Sequence, residues 1–523
     1  MVIEESAYDM DKILTGSTHR VLAKSTGIIS GLTGISRLLG FVRDLVIASA
    51  FGTGVNAEAF VVSFKIPNLL RDLVGEGAAN SAFVPVLTEC HEKKKDDYWQ
   101  LVSTLFLIMT GALIGLSALG IIFSSQIVAL IAPGFTHSAD PEKFPLAVKL
   151  TRVIFPYIFL IGLSALAMGV LNSLKEFTSS AFGPILMNLS MIAAGFFFER
   201  YYGAMALVIG VLVGGELQLG CQIPALLKSG FRLTKPRFNH EAARKILKLL
   251  IPRAMGSAVY QINVFVDSIL ASFEGIVGVG GQSALYYSNR LFQFPLAIFG
   301  VALAQAILPT FSTQIVRDDI KGFKETFSLA LRTLMMIVLP ASAGLIVLAK
   351  PIIRIIFEHG RFNAYSTTIT SNALFYYGFG LLSCCFIKIL VNAFYAMQDT
   401  RTPVKTMAFA VGLNVILSLI LMRDLKIGGL ALASSLSATV NAGLLYVMLR
   451  KKVGPLDGRR VCLSFLKIFS ASLLMGIATY VYDRNVLETH LSSPAHWQGV
   501  YLVIGILLSV LFYLAAAFLF RIE

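Results

Sequence analysis

Apolar residues run along this chain in blocks of roughly 20 or more, each long enough to cross the ~30 Å hydrocarbon layer of a bilayer as a helix. They fall near residues 22–51, 57–88, 100–131, 147–172, 179–199 and 202–227, then near 246–273, 281–312, 326–349, 366–397, 402–422 and 427–449. Two more lie near 463–482 and 498–520. The pattern predicts an all-α polytopic membrane protein of about fourteen transmembrane helices. No polar stretch between the blocks exceeds about 20 residues, which leaves no room for a soluble catalytic or nucleotide-binding domain of ~100 residues.

The pattern also repeats. Asp44-Leu-Val-Ile-Ala48-Ser49 followed by Gly52 is matched by Asp267-Ser-Ile-Leu-Ala271-Ser272 followed by Gly275. Ala82-x-x-Pro85 corresponds to Ala306-x-x-Pro309, and Gly134-Phe135 falls opposite Gly360, which precedes Arg361-Phe362; from Asp44 to Gly134 the offsets run from 223 to 226 residues. Six helices per repeat is an even number, so both halves enter from one side and the duplication is parallel. The expected organisation is a cytoplasmic segment 1–21, an N-lobe 22–228, a basic cytoplasmic linker 229–245, a C-lobe 246–450 and two appended helices in 451–523. Two six-helix lobes would face each other across a central cavity.

Charge sets the orientation. The 523 residues are 56% hydrophobic and 14% charged, with a mean hydropathy of +0.74 and a net charge of +14. Roughly 22 Lys and Arg fall in alternate connections that include Lys93, the segment Lys228 to Lys248 and Arg450, against roughly 9 in the others. That asymmetry places the N-terminus in the cytoplasm and makes membrane phospholipids, not nucleic acid, the partners of the basic surface. The first 20 residues lack an apolar h-region, so no cleavable signal is expected. Cys90, Cys221, Cys384, Cys385 and Cys462 show no metal-ligand spacing and predict no disulfide framework, and the histidines sit near polar connections.

The costly residues are the ionisable ones inside the spans, each ~2.5–3.5 kcal/mol at a helix centre. Arg37, Arg43 and Asp44 lie in the first block; Glu58, Lys65, Arg71, Asp72 and Glu76 lie in the second. At 100° per residue Arg37 and Asp44 share one stripe, and Glu58, Lys65, Asp72 and Glu76 share another. Two readings remain open for the mixed stripes. Asp44, Glu58, Asp72 and Glu76 either form ion pairs that hold or gate the lobes, or line a cavity with the bases. Arg290, with Lys388, adds positive charge from the second half, and an excess of guanidinium groups suits a pyrophosphate, whose oxygens accept paired hydrogen bonds. Asp267, Asp399 and Asn414 offer oxygen ligands for a coupling Na+ or H+, or else pair with neighbouring bases.

These residues form a pattern. The run Ser36-Arg37-Leu-Leu-Gly40-Phe41-Val-Arg43-Asp44, then Phe51-Gly52, Glu58-Ala-Phe60, Lys65-Ile-Pro67-Asn68-Leu-Leu-Arg71 and Glu76-Gly77-Ala78, resembles the MurJ (MviN) family of lipid II flippases. The similarity continues through Tyr286-Tyr287-x-x-Arg290, Gly300-Val-Ala302-Leu and Gln398-Asp399-x-x-Thr402-Pro403. The resemblance implies a member of the multidrug/oligosaccharidyl-lipid/polysaccharide exporter superfamily, working by alternating access on an undecaprenyl-pyrophosphate-linked peptidoglycan precursor in the bacterial inner membrane. It implies cavity bases at Arg37, Arg43, Arg71 and Arg290, with Lys65 beside them, and cavity acids at Glu58 and Glu76. Asp72, Asn289 and Gln293 depart from residues common in the family. It further implies no enzyme chemistry, no cofactor beyond a coupling ion, and a monomer working alone or beside the cell wall synthesis machinery. Three other functions compete: a flippase for another polyprenyl-linked oligosaccharide, a cation-coupled drug exporter, and a membrane-embedded glycosyltransferase. A basic cavity disfavours the exporter, and the short external connections near 132–146 and 350–365 disfavour the glycosyltransferase.

Overall fold

The structure is a computed structural model, and it describes residues 27, 31–71, 79–93, 95–238, 240–490 and 494–522; among them every regular element is a helix. Among the described residues ten helices are long and apolar enough to cross a bilayer, or eleven when Ala364–Gly378 and Leu381–Ala396, bent by 47° at their break, count as one span. The expected spans at 22–51 and 57–88 each include residues outside the described set, and the one at 246–273 is part of the continuous helix Glu241–Ala271. Elsewhere the expected limits shift. The block near 100–131 becomes a helix Lys95–Ile122, already ~42 Å long at 1.5 Å per residue, followed by a separate helix Ser124–Ile131. The block near 366–397 bends where Gly378 and Gly380 admit Ile346 and Ser435 against the backbone.

The contacts divide the chain into two units. The first comprises residues up to Ala50, Ser63–Val128 and Pro145–Ser257; the second comprises Phe51–Val62, Ala129–Phe144 and Ala258–Glu523. Two short pieces of the first sequence half are therefore built into the second unit.

In the first unit, Thr178–Phe197 and Ala204–Lys228 pack closely because Gly210 and Gly214, four residues apart, face Ala194 and Met187. A Cβ added at either would lie within 2.8 Å of that neighbour, so absence of a side chain sets the approach. Phe83, Leu101, Leu166, Leu226 and Ile246 form a buried core there. The segment after Lys228 has no regular structure and is strapped to the start of Lys95–Ile122: Ser103 Oγ donates to the Arg232 carbonyl, and the Arg237 N–H donates to Thr104 Oγ1 at 2.9 Å. Phe231 packs edge-on against Trp99. Lys245 then bonds Glu89 at 2.7 Å, and with Lys93 it holds that exposed carboxyl down to about 2. In the second unit the core gathers Leu270, Ala284, Leu285, Ala373 and Leu430. Large side chains such as Leu511 and Phe518 point outward, as a hydrocarbon-facing surface requires.

Candidate functional site

The repeats meet inside the second unit. Gly52, at φ +57°, lies so close to Arg361 that an added Cβ would stand 2.5 Å from its carbonyl oxygen, and a Cβ on Gly134 would stand 2.1 Å from the Ser272 carbonyl. The two approaches are reciprocal: Gly52 belongs to the motif repeated at Ser272 and Gly275, and Gly134 to the one repeated at Gly360. The Gly134 N–H donates to Ser272 Oγ at 2.9 Å, and the Thr53 and Ser366 hydroxyls bond at 2.8 Å. Tyr287, fully buried, donates to the Gly52 carbonyl at 3.2 Å and packs its ring on Phe357 and Phe362.

At the centre lies a charged triad. Lys143 is 0% exposed and bonds both the Glu58 and the Glu274 carboxylate. Glu58 also accepts the Gln282 N–H at 3.0 Å, in the first turn of the helix Gly281–Pro295, where the backbone favours a negative charge. Glu274 accepts the Ser138 hydroxyl at 2.8 Å, and the Lys143 ammonium sits 4.3 Å from the centre of the Phe135 ring. Glu58 and Gln282 are 224 residues apart, the repeat distance itself. A residue bonded to its own repeat counterpart marks the local pseudo-two-fold axis, so the triad sits where the duplicated halves cross. Such a buried pair contributes by mutual satisfaction; removing one partner strands the other at a cost of ~3–5 kcal/mol.

Other sequence-predicted residues fall in different places. Asp44 is paired with its neighbour Arg43 through bonds of 2.8 and 3.1 Å, not with Arg37 on the expected stripe, and both partners are buried. Arg43 also donates to Asn188 at 3.2 Å, and Asn188 donates to the Ser36 carbonyl, which pins the first helix to Thr178–Phe197. Arg37 is exposed; Lys65 and Arg290 are half-buried. Glu58 pairs with Lys143, not with Lys65 on its own stripe. Arg71 ends the helix Val55–Arg71, while Asp72 and Glu76 lie outside the described residues. The three oxygen candidates are held separately. Asp267, half-buried, accepts a long bond of 3.4 Å from Asn263; Asn414 is buried between Ser434 and Ser418. Asp399 caps the helix Arg401–Leu425, accepting the Arg401 and Thr402 N–H groups, and its bonds to Lys452 and Thr402 hold its carboxyl well below the usual carboxylate range. Among the described residues no group of three or more His, Cys, Asp or Glu side chains is placed to hold a metal ion.

Lys143, Glu274 and Gln282 were absent from the expected site. Lys143 reads in sequence as one charge in a polar connection, and the one signal toward the site was the repeat offset linking Glu58 to Gln282.

The glycine contact makes a direct prediction. Gly52→Ala adds a Cβ to a left-handed residue and against a backbone carbonyl, a cost of about 1–3 kcal/mol in this closed arrangement. In a background without native cysteines, a cysteine at Thr53 should then react about tenfold faster with a membrane-impermeant thiol reagent. An unchanged rate would mean that the Gly52 contact does not hold the junction.

Comparisons with known proteins agree on one group. Residues 47–496 match the family model described as lipid II flippase MurJ. The chain is 38% identical over 439 residues to a probable lipid II flippase MurJ of Vibrio cholerae, covering 81% of this chain and 82% of that one. It is 37% identical over 435 residues to the lipid II flippase MurJ of Burkholderia cenocepacia, covering 81% and 83%. A solved structure titled lipid II flippase MurJ, inward closed conformation, superposes with a TM-score of 0.78 at 29% identity over 94% of this chain and 98% of that one. An inward-facing multidrug resistance MATE transporter of the MOP superfamily superposes at 0.66 with 15% identity, covering 82% and 98%, a likeness of fold alone.

Proposed function

Because the chain belongs to the lipid II flippase MurJ family, we propose that it carries lipid II, the undecaprenyl-pyrophosphate-linked peptidoglycan precursor, from the cytoplasmic to the external leaflet of a bacterial inner membrane. The match along residues 47–496 carries this reading. The chain is a multi-pass membrane transporter with its N-terminus in the cytoplasm, and it makes and breaks no covalent bonds in the substrate.

Orientation follows from parity. Counting spans from a cytoplasmic N-terminus puts the connections near 52, 132–142, 272–280 and 358–363 on the external side, and these are the segments that meet at the triad. We take the triad as the external gate in its closed state. Opening it must separate Lys143 from one or both carboxylates, and the substrate must repay that loss. The pyrophosphate supplies such energy where it meets guanidinium groups, since charge-assisted bonds are about twice as strong as neutral ones. Arg37, Arg71 and Arg290 fit that role by charge, span and matching motif. Arg43 fits it in a state where its bond to Asp44 is exchanged for substrate.

Translocation of fluorescent lipid II in proteoliposomes tests the activity, with quencher accessibility as readout. Transport should depend on a cation gradient or on membrane potential, and Asp267 is the coupling candidate because a carboxylate within a span needs a cationic companion. Asp267→Asn is expected to flatten the response to external sodium or pH. Responses equal to the parent's would leave the potential acting on the arginines as the driving force.

A further inference from the structure

A second polar site lies apart from the triad. The helix Ala349–Phe357 and the connection between Gly458–Tyr482 and Ala495–Leu519 line a pocket of about 590 Å³, counting its open mouth. Its wall carries both signs of charge: Lys350 and Arg354 from the short helix, Asp483 and Glu488 from the turn after Tyr482.

These charges do not close on one another. Lys350 lies within electrostatic reach of Asp483, yet the two form no ion pair, and Asp483 Oδ1 is buried with no hydrogen-bond partner among the described residues. Arg354 reaches Glu358, and Arg484 reaches Glu488, only at 4.0 Å, the outer limit of an ion pair. A buried carboxylate oxygen left unsatisfied is costly, and opposite charges held apart across a pocket leave space for a ligand that answers both. A simple anion would satisfy the bases and be repelled by the acids, and a simple cation would do the reverse. A phosphate joined to a primary ammonium satisfies both, and its N–H groups can donate to the carboxylates.

The surroundings favour a lipid over a free solute. Tyr482 and Tyr501, joined by a 2.9 Å bond from the Tyr482 hydroxyl to the Tyr501 carbonyl, stand at the ends of two spans, where aromatic residues mark the membrane–water boundary. Val347 and Leu487 give the pocket an apolar floor. We propose that this pocket binds the phosphoethanolamine headgroup of a membrane phospholipid. The short helix that supplies Lys350 and Arg354 ends at Phe357, which packs on Tyr287, so a lipid seated there touches the same element that closes the repeat junction.

The test uses the full chain in nanodiscs containing equal amounts of phosphatidylethanolamine, phosphatidylcholine and phosphatidylglycerol, with retained lipid counted by native mass spectrometry. Phosphatidylethanolamine should be retained about tenfold over either of the others. Lys350→Gln and Asp483→Asn should each remove most of that preference; thermal unfolding in phosphatidylcholine discs checks that they fold, and Glu488→Gln replaces any that does not. Soluble glycerophosphoethanolamine at matched headgroup concentration should fail to displace the lipid. Equal retention of the three lipids, or a preference unchanged in the variants, overturns the site. Displacement by the soluble compound overturns the lipid assignment.

Discussion

Lys143→Met is expected to abolish the closed state of the repeat junction, because it leaves the Glu58 and Glu274 carboxylates buried beside each other with no cation between them. The cost is about 3–5 kcal/mol, the range for stranding one member of a buried pair, and it is as large as the bias of a few kcal/mol that separates two conformers of a protein. Cysteine accessibility at Ser138, which bonds Glu274, should rise toward that of an open protein, and transport should fall to background. The triple variant Lys143→Met, Glu58→Gln, Glu274→Gln removes the charges together and should recover much of the closure, since an uncharged set of similar shape often does as well as a buried pair. A single variant that stays closed would show that the backbone contacts at Gly52 and Gly134 suffice.

Arg43→Ala should be nearly as severe, for two separable reasons. Asp44, 0% exposed, would lose its guanidinium and Asn188 would lose a donor, which lowers thermal stability by about 3–5 kcal/mol. Transport would also fall if the same guanidinium meets the pyrophosphate in another state. Arg43→Met with Asp44→Asn separates the two: stability should return and transport should not. A double variant that transports like the parent would assign Arg43 to structure alone. Lysine at this position should restore little, because an ammonium lacks the planar fork that bonds Asp44 and Asn188 together.

Much of the architecture was legible because a bilayer leaves few choices: apolar length located the ten or eleven spans seen among the described residues, and the offset of 223 to 226 residues relates the segments that meet at Gly52 and Gly134. The charged stripes were legible as a set but not as pairs. Helical angle alone put Asp44 with Arg37, whereas the long Arg43 side chain folds back on the adjacent carboxylate. Glu58 and Lys143 are 85 residues apart, and no local periodicity links a span residue to a lysine in a polar connection. Only the crossing of the repeats, which bonds Glu58 to Gln282, brings that connection inside. Asp399 takes the second of its two readings in this structure, a helix cap bonded to a neighbouring base, Lys452.

The central claim, transport of lipid II, is tested most directly in cells depleted of their own lipid II flippase and carrying this chain, by measuring lipid II exposed outside the cytoplasmic membrane. Growth and externally accessible lipid II should reach the parental level, and both should be lost in Arg290→Ala although the variant inserts normally. Growth failure with a stably inserted chain, and lipid II confined to the cytoplasmic side, would contradict it.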